Sequence, residues 1–332
     1  MAPELQRLLT RAQERQAAGD RAGAQAAYRE ALRIAPNSPA AVHGLAGLLV
    51  AGGDPGAAAT LLDDALRAHP RDAVLHATLG LVRKAQGRLE DAGRCLNTAL
   101  ELAPDLAEAW VNLGNVHERC TRWTQAEHCY RRALALRPQM AVAHSNLGTA
   151  LQAQGRVEEA IACYRQALAL RPGYAAALDY LGTAQLFAGR APEAETSFRA
   201  ALDAAPGSAR ALKHLGDALQ SQGRLDEALD CYRRARAADP GDAGAAAGEA
   251  AVCEWQGRKR EAAALIDPLI AAGSDDLSVL LVDARLRAEG PGRDHAIARL
   301  EARLARAATA YERRRLHFAL ARLYDRAGRA AE

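Results

Sequence analysis

Residues 110–138 read WVNLGNVHERCTRWTQAEHCYRRALALRP, and versions of this stretch recur along most of the chain. Prolines fall at Pro36, Pro70, Pro104, Pro138, Pro172, Pro206 and Pro240, each 34 residues beyond the last. The same step joins Leu45, Leu79, Leu113, Leu147, Leu181 and Leu215, and the glycines Gly80, Gly114, Gly148, Gly182 and Gly216. It also joins Ala24, Ala58, Ala92, Ala126, Ala160, Ala194 and Ala228. A single period held by four residue types marks a stack of repeated units, each with an apolar face that only its neighbours can cover.

Inside the stretch, Trp110, Leu113 and Gly114 stand in the spacing W-x2-L-G, Ala126 and Tyr130 in A-x3-Y, and Ala133 and Pro138 follow. On these residues the chain resembles the tetratricopeptide repeat family. The resemblance implies an all-α fold: a right-handed superhelical solenoid of antiparallel helix pairs, one solenoid over residues 1–332. Its expected divisions are a degenerate capping repeat at 5–38, six regular repeats over 39–242, two degenerate repeats over 243–313 and an incomplete one at 314–332.

Gly53, Gly87, Gly155, Gly189 and Gly223 fall where the first helix of a unit must turn into the second, a place that favours positive φ. Thr121 replaces the glycine in repeat four, so a different turn is expected there. Glycines inside first helices, such as Gly148, cost about 0.5–1 kcal/mol against alanine. Close approach of the second helix, through small residues of the Ala126 and Ala160 type, is the expected compensation. Each proline ends a second helix, with Asp105, Asp239 and Asp242 available as turn or cap residues. Pro268 falls inside a second helix and predicts a kink or break near Asp267. A ninth unit begins near Leu277, carries a Gly-Pro-Gly turn at Gly290 to Gly292, and gives way near Arg314 to a first helix with turn glycine Gly328. That half-repeat suggests a fragment of a longer protein.

Lys plus Arg at 43 against Asp plus Glu at 40 is too balanced to imply a nucleic-acid or anionic-membrane partner. The N-terminus is charged and lacks the apolar core of a signal peptide, and no stretch is apolar enough to span a membrane, so a cytoplasmic protein is expected. Cys95, Cys129, Cys163 and Cys231 share one repeat position. Equivalent atoms in stacked repeats lie about 10 Å apart, beyond disulfide reach, so these residues read as small buried side chains. Cys120 and Cys253 lack metal-ligand spacing, and neither metal nor cofactor is expected.

There is no phosphate-binding glycine loop, no HExxH and no GxSxG. His43, His76, His117, His144, His214 and His317 fall in first helices, in different repeats and at different positions, with no shared chemistry. What remains is a surface. The resemblance implies that first helices line a concave groove that binds a peptide or a helix. The groove positions are about the second, fifth, sixth, ninth, twelfth and thirteenth of each unit. They give Glu108, Val111, Asn112, Asn115, Glu118 and Arg119, then Ser145, Asn146, Thr149 and Gln152. In the next units they give Asp179, Tyr180, Thr183, Leu186 and Phe187, then Arg210, Lys213, His214, Asp217 and Gln220.

Asn112 and Asn146, one repeat apart, are similar to the asparagine ladder of O-linked N-acetylglucosamine transferases, in which amides hold a peptide backbone. The neighbouring rungs are Thr78, Tyr180 and His214, and solvated family residues explain the pair equally well. Lys213 followed by Asp217, and Asn115 preceded by Val111, depart from the carboxylate clamp of chaperone-binding members. Tyr180, Leu186 and Phe187 form an apolar cluster that can anchor a ligand side chain or pack on the adjacent repeat. Arg131, Arg132, Arg165, Arg199, Arg233 and Arg234 on second helices are expected to solvate the convex face.

The expected function is a non-catalytic scaffold binding a protein or peptide in the concave groove. Two alternatives stand beside it. The closing segment, LIDPLIAAGSDDLSVLLVDARLRAEG and then LHFALARLYDRAG, resembles the repeat region of bacterial repeat-containing sulfotransferases, which implies the recognition part of a larger enzyme. The exposed half-repeat at the C-terminus instead suggests self-assembly into a homo-oligomer.

Overall fold

The computed structural model describes residues 2–290, 292–307 and 309–326. Gly328 and Pro291 therefore lie outside the described residues. All regular structure among those described is helical, and it falls into two compact units divided at Pro172 and Gly173. The first unit holds α1 (Ala2–Ala17), α2 (Arg21–Ile34), α3 (Pro39–Ala51), α4 (Pro55–Ala68), α5 (Ala73–Ala85), α6 (Leu89–Leu102), α7 (Ala107–Arg119), α8 (Trp123–Leu136), α9 (Ala141–Ala153) and α10 (Val157–Leu170). The second holds α11 (Ala175–Phe187), α12 (Ala191–Ala204), α13 (Ala209–Ser221), α14 (Leu225–Ala238), α15 (Ala243–Trp255), α16 (Lys259–Ala271), α17 (Leu277–Leu286), α18 (Arg293–Leu304) and α19 (Ala310–Arg326).

Within each unit every helix packs on the one before and the one after it. First helices also approach the first helix of the next pair, α3 on α5 and α13 on α15 for example, and among the described residues no two second helices have backbones this close. First helices thus crowd along one face of each unit and second helices spread along the other. Acidic caps start several helices: Asp72 accepts from Leu75 N at 2.9 Å, and Asp242 from Gly244 N at 2.9 Å and Ala245 N at 3.1 Å. Asp239 instead serves the turn, accepting from Gly241 N at 3.0 Å.

The turn glycines take φ near 80°, as at Gly155 (80°) and Gly223 (77°). Thr121 corrects the expectation of a different turn, because it adopts the same left-handed conformation with φ 56°. Its backbone bonds match as well. Thr121 N donates to Glu118 O at 2.8 Å and Arg122 N to His117 O at 2.9 Å, as Gly155 N does to Gln152 O at 2.9 Å and Arg156 N to Leu151 O at 3.0 Å. The unit above and below dictates the turn, and the threonine is strained into it, with Oγ1 donating to Cys120 O at 2.7 Å. A β-branched residue there costs about 1–2 kcal/mol, partly offset by the entropy that glycine loses on folding. Thr121→Gly is therefore expected to stabilise by about 0.5–1 kcal/mol, read as a higher urea midpoint at unchanged slope. A lower midpoint would show that the hydroxyl bond outweighs the strain.

The nearest groups to most of the first-helix glycines are aromatic rings, while at Gly80 the expected alanine also meets it, Ala92 O lying 3.2 Å from where a Cβ would stand. A Cβ on Gly114 would lie 2.5 Å from Tyr130 Cε1, and one on Gly148 or Gly182 would lie 2.7 Å from Tyr164 Cε1 or 2.6 Å from Phe198 Cε1. Tyr130, Tyr164, Phe198 and Tyr232 are all fully buried. The large residue of A-x3-Y thus fills the notch that glycine leaves, and the alanine four residues before it, such as Ala126 or Ala160, is fully buried too. At Gly80 the ring is replaced by Leu96, whose Cγ would meet the Cβ at 2.7 Å.

Trp110, His76 and His144 share one repeat position, which corrects the view that the histidines are scattered. Each ring N–H donates to the carbonyl of the proline six residues earlier: Trp110 Nε1 to Pro104 O, His76 Nε2 to Pro70 O and His144 Nε2 to Pro138 O, all at 2.9 Å. The ring locks the incoming turn to its first helix.

Two second-helix carboxylates clamp successive repeats. Glu127 accepts from Gln154 Nε2 at 2.7 Å and Arg156 Nη1 at 2.6 Å, and Glu195 from Gln222 Nε2 at 2.9 Å and Arg224 Nη1 at 2.7 Å. Burial works to raise the Glu127 carboxyl, but Gln154, Arg156 and Arg131 outweigh it and leave the group below its ordinary value. Arg131 and Arg199, expected merely to face water, reach back to Glu127 and Glu195.

In the second unit α16 runs through Pro268 without a break, contrary to the expected interruption. The proline sits in the last turn, and its own carbonyl still accepts from Ala272 N at 3.0 Å. Helix α17 starts at Leu277 as expected, and α19 starts at Ala310, four residues ahead of Arg314.

Candidate functional site

In the first unit the ninth and twelfth positions turn out to converge on the buried phenols. Tyr130 Oη lies 2.8 Å from both Asn115 Oδ1 and Glu118 Oε2, with one proton for two acceptors. Tyr164 Oη lies 3.3 Å from Thr149 Oγ1 and 3.1 Å from Gln152 Oε1. A buried phenol needs a partner, and the first helix supplies it from residues fifteen and twelve positions earlier. The same pair recurs in the second unit, where Tyr232 Oη is 2.7 Å from Asp217 Oδ1 and from Gln220 Oε1. Where the ring lacks a hydroxyl, at Phe198, the corresponding residues are Thr183 and Leu186, and Thr183 Oγ1 turns to Asp179 O at 2.9 Å. Asn115, Glu118, Thr149 and Asp217 therefore each have a structural duty at the base of the first-helix face.

The sixth position differs between units. Asn112 is half-buried and its side chain makes no hydrogen bond among the described residues, whereas Asn146 Nδ2 donates to Asn115 Oδ1 at 2.7 Å. The fifth position is buried in three successive repeats, with Val111 7% exposed, Ser145 1% and Asp179 2%, but Lys213 in the next is half-buried. Ser145 Oγ has no partner among the described residues. Glu108 and Arg119 are exposed, and Glu108 pairs with Arg137.

In the second unit Asp179 sits under two nitrogen groups, with His214 Nδ1 and Arg210 Nε each 2.9 Å from its carboxylate oxygens. The Arg210 guanidinium also lies 5.0 Å from the Tyr180 ring centre, and His214 tilts against Phe198 at 5.5 Å. The structure thus brings Asp179, Tyr180, Arg210 and His214 together as one cluster that joins neighbouring first helices. Lys213 lies against the next helix, its Cδ 3.4 Å from where a Cβ on Gly244 would stand.

Beside this cluster opens a cleft of about 660 Å3. Thr183, Leu186, Phe187, His214, Asp217 and Gln220 form one side, and Gly244, Ala247, Gly248 and Ala251 of α15 form its floor. Phe187 and Trp255 stand at its rim, 56% and 57% exposed, unusual for rings of this size. Sequence reasoning missed Trp255 and the floor. The signal was present in AGAAAGEAAVCEW, a first helix stripped of large residues, which looked like degeneration but makes room. A second recess, of about 840 Å3, lies on the first-helix face of the first unit, with Gly44, Gly47, His43, Thr78 and Lys84 on its walls. His43 Nδ1 and Thr78 Oγ1 are 2.7 Å apart there. Burial, followed by Arg119, pushes the Lys84 ammonium below its ordinary value.

Burial pushes the Asp217 carboxyl above its ordinary value, against the lowering effects of the Tyr232 phenol, Lys213 and His214. An acid raised in the folded state contributes stability that is full below its unfolded value and is lost as pH rises through the folded one. Asp217→Asn keeps an acceptor for Tyr232, so it is expected to melt higher than the parent at about pH 7 and alike at about pH 3. Equal gains at both values would mean that the charge is not the cause.

The cysteine thiols are all free, and burial pushes Cys129 up to about 11. Cys129 and Cys231 are buried, Cys95 and Cys163 half-buried. Among the described residues no three His, Cys, Asp or Glu side chains converge as metal ligands, and no helix is long and apolar enough to cross a membrane.

Tetratricopeptide repeat family models match residues 16–82, 71–139, 105–172, 139–207, 181–243 and 219–286, well over half of the chain. The chain belongs to the tetratricopeptide repeat family. That fold typically serves protein–protein interaction, mostly as a non-catalytic scaffold. No curated protein matches the sequence. Among solved structures the chain is similar to the APC/C hetero-tetramer Cut9-Hcn1, at 18% identity and TM-score 0.67 over 80% of this chain and 52% of that one. It is also similar to a tetratricopeptide repeat protein from Parabacteroides merdae ATCC 43184, at 18% identity and TM-score 0.63 over 74% and 95% of the two chains. A third similar structure is pilF of Pseudomonas aeruginosa, at 23% identity and TM-score 0.57 over 64% and 97%. The chain spans about half the length of the Cut9-Hcn1 chain it matches. At these identities the likeness is one of fold. The sulfotransferase resemblance of the closing segment finds no counterpart in these matches.

Proposed function

We propose that this protein is a non-catalytic scaffold that holds a peptide or protein segment against its first helices, with the cleft between Phe187 and Trp255 as an anchor point. The observation that carries this is the pairing of two exposed aromatic rings with a floor of glycine and alanine in a cleft of about 660 Å3. Rings at a rim bury large area at low entropic cost, and the α15 residues between them carry nothing larger than a methyl group, which leaves the cleft depth for a ligand side chain. In the first unit Asn112 offers an amide donor and acceptor to a backbone, while Asn146 has committed one donor to Asn115.

The test captures peptides from a random array and measures their affinities by titration calorimetry. Phe187→Ala with Trp255→Ala is expected to weaken them at least about tenfold, the loss of a hot-spot pair. Unchanged affinities would remove the cleft from the function. Asn112→Ala with Asn146→Ala separately tests backbone capture, and equal binding by that variant would dispose of the ladder.

A further inference from the structure

We propose a second binding site in the cleft between α15, α17 and α19, whose ligand is an acidic segment of a partner protein bearing one large apolar side chain. The cleft holds about 680 Å3. Its walls carry Lys259, Arg285, Arg314, Arg315, Arg322 and Arg326, against only Glu254 and Glu289. The two carboxylates are matched within the site, since Arg285 Nε holds Glu254 Oε2 at 2.7 Å and Arg326 Nη1 holds Glu289 Oε1 at 3.1 Å. Lys259, Arg314 and Arg322 add positive charge beyond these pairs. Lys259 and Arg314 make no ion pair among the described residues, and Arg322 lies 5.8 Å over the ring of Phe318, which is 66% exposed. Such an excess is out of character for a chain whose charges otherwise nearly cancel, 43 against 40.

The cleft is also lined by an apolar strip of Leu281, Ala284, Ala288 and Leu323, each at most 6% exposed, together with the exposed Phe318. Positive walls over an apolar strip select the occupant. A single-stranded nucleic acid satisfies the walls and can stack one base on Phe318, but the rest of the strip is aliphatic and offers no succession of aromatic platforms for further bases. A second copy of this face satisfies the strip but sets cation against cation across the two-fold axis. An acidic peptide with an apolar side chain satisfies both, the carboxylates taking bidentate contacts from guanidinium groups. The site does not depend on the Phe187–Trp255 anchor, although Leu281, Arg285 and Arg315 line both clefts.

The experiment measures fluorescence anisotropy of a fluorescein-labelled peptide of glutamates around a central phenylalanine, with glutamine and lysine versions as controls. Arg314 and Arg322 are exposed, so Arg314→Glu with Arg322→Glu leaves the fold intact, which far-UV circular dichroism checks. The double variant is expected to weaken the glutamate peptide at least about tenfold, and added salt to weaken it on the parent. Phe318→Ala weakens it too, whereas Trp255→Ala does not, which separates this site from the first. Equal binding of the glutamine or lysine peptide, unchanged binding by the double variant, or tighter binding of a single-stranded oligonucleotide overturns the proposal. So does a concentration-dependent dimer that Phe318→Ala abolishes.

Discussion

Tyr232→Ala is expected to cost about 3–5 kcal/mol, the range for deleting a fully buried aromatic ring, and to lower the thermal midpoint by about 10 °C. The ring is held from both sides. A Cβ on Gly216 would lie 2.7 Å from Tyr232 Cε1, and one on Gly248, in the next first helix, 2.4 Å. Tyr232 thus fills the space between two repeats as well as within one, so its removal opens a void that neither can close alone. Tyr232→Phe separates packing from hydrogen bonding. It keeps the ring and takes the proton from Asp217 and Gln220, so a loss of about 1 kcal/mol is expected. The phenol is one of the groups that hold the Asp217 carboxyl down, so its loss lets that carboxyl rise further. The phenylalanine variant should therefore lose more stability than the parent as pH climbs from about 4 toward neutrality. Full stability in Tyr232→Ala would mean that the two glycines do not frame a functioning contact.

Gly148→Leu tests the same joint from the other side. A Cβ alone would stand 2.7 Å from Tyr164 Cε1 and 2.9 Å from Cδ1 and Cζ, all atoms of a rigid, fully buried ring. Overpacking costs about 1–3 kcal/mol or more, and the better helix propensity of leucine returns less than 1, so a net loss of about 2 kcal/mol is expected. That corresponds to a fall of about 4–8 °C. Gly47→Ala is the control: this glycine also lies inside a first helix, nothing stands within 4 Å of its Cβ position, and alanine there should raise the midpoint. An unchanged melt for Gly148→Leu would show that the helices slide apart without penalty.

These two joints show where legibility in the sequence stops. A glycine at every thirty-fourth residue announces a small-residue contact, but not what meets it, because the partner lies on another helix and its identity depends on how the pair crosses. An alanine does meet Gly80, through Ala92 O, but at Gly114, Gly148, Gly182 and Gly216 the nearest group is the ring of the next helix. Thr121 taught the converse. A threonine in a glycine position suggested another turn, yet the neighbouring repeats impose the same φ on it, since tertiary packing overrides the preference of a single residue.

The count along each repeat picked out the candidate residues but not what they touch within the fold. Asn115, Glu118 and Asp217 were singled out as ligand contacts, and each is found on the hydroxyl of a buried tyrosine. Their spacing of fifteen and twelve residues ahead of each tyrosine was available to inspection, but it has meaning only once the two helices lie side by side. Trp255 escaped because it belongs to a unit whose pattern had weakened, and the weakening itself is what opens the cleft.

The sequence by itself determined the family, the helix pairs and their period, because each follows from local rules repeated many times: glycine at a left-handed turn, proline at a helix end, one apolar face per helix. Only the tertiary structure decided which polar residues are taken up by hydrogen bonds within the protein and which stay exposed. That choice rests on whether a hydroxyl, a carboxylate or a ring finds its partner on the next helix, and such distances are set by stacking rather than by any stretch read alone.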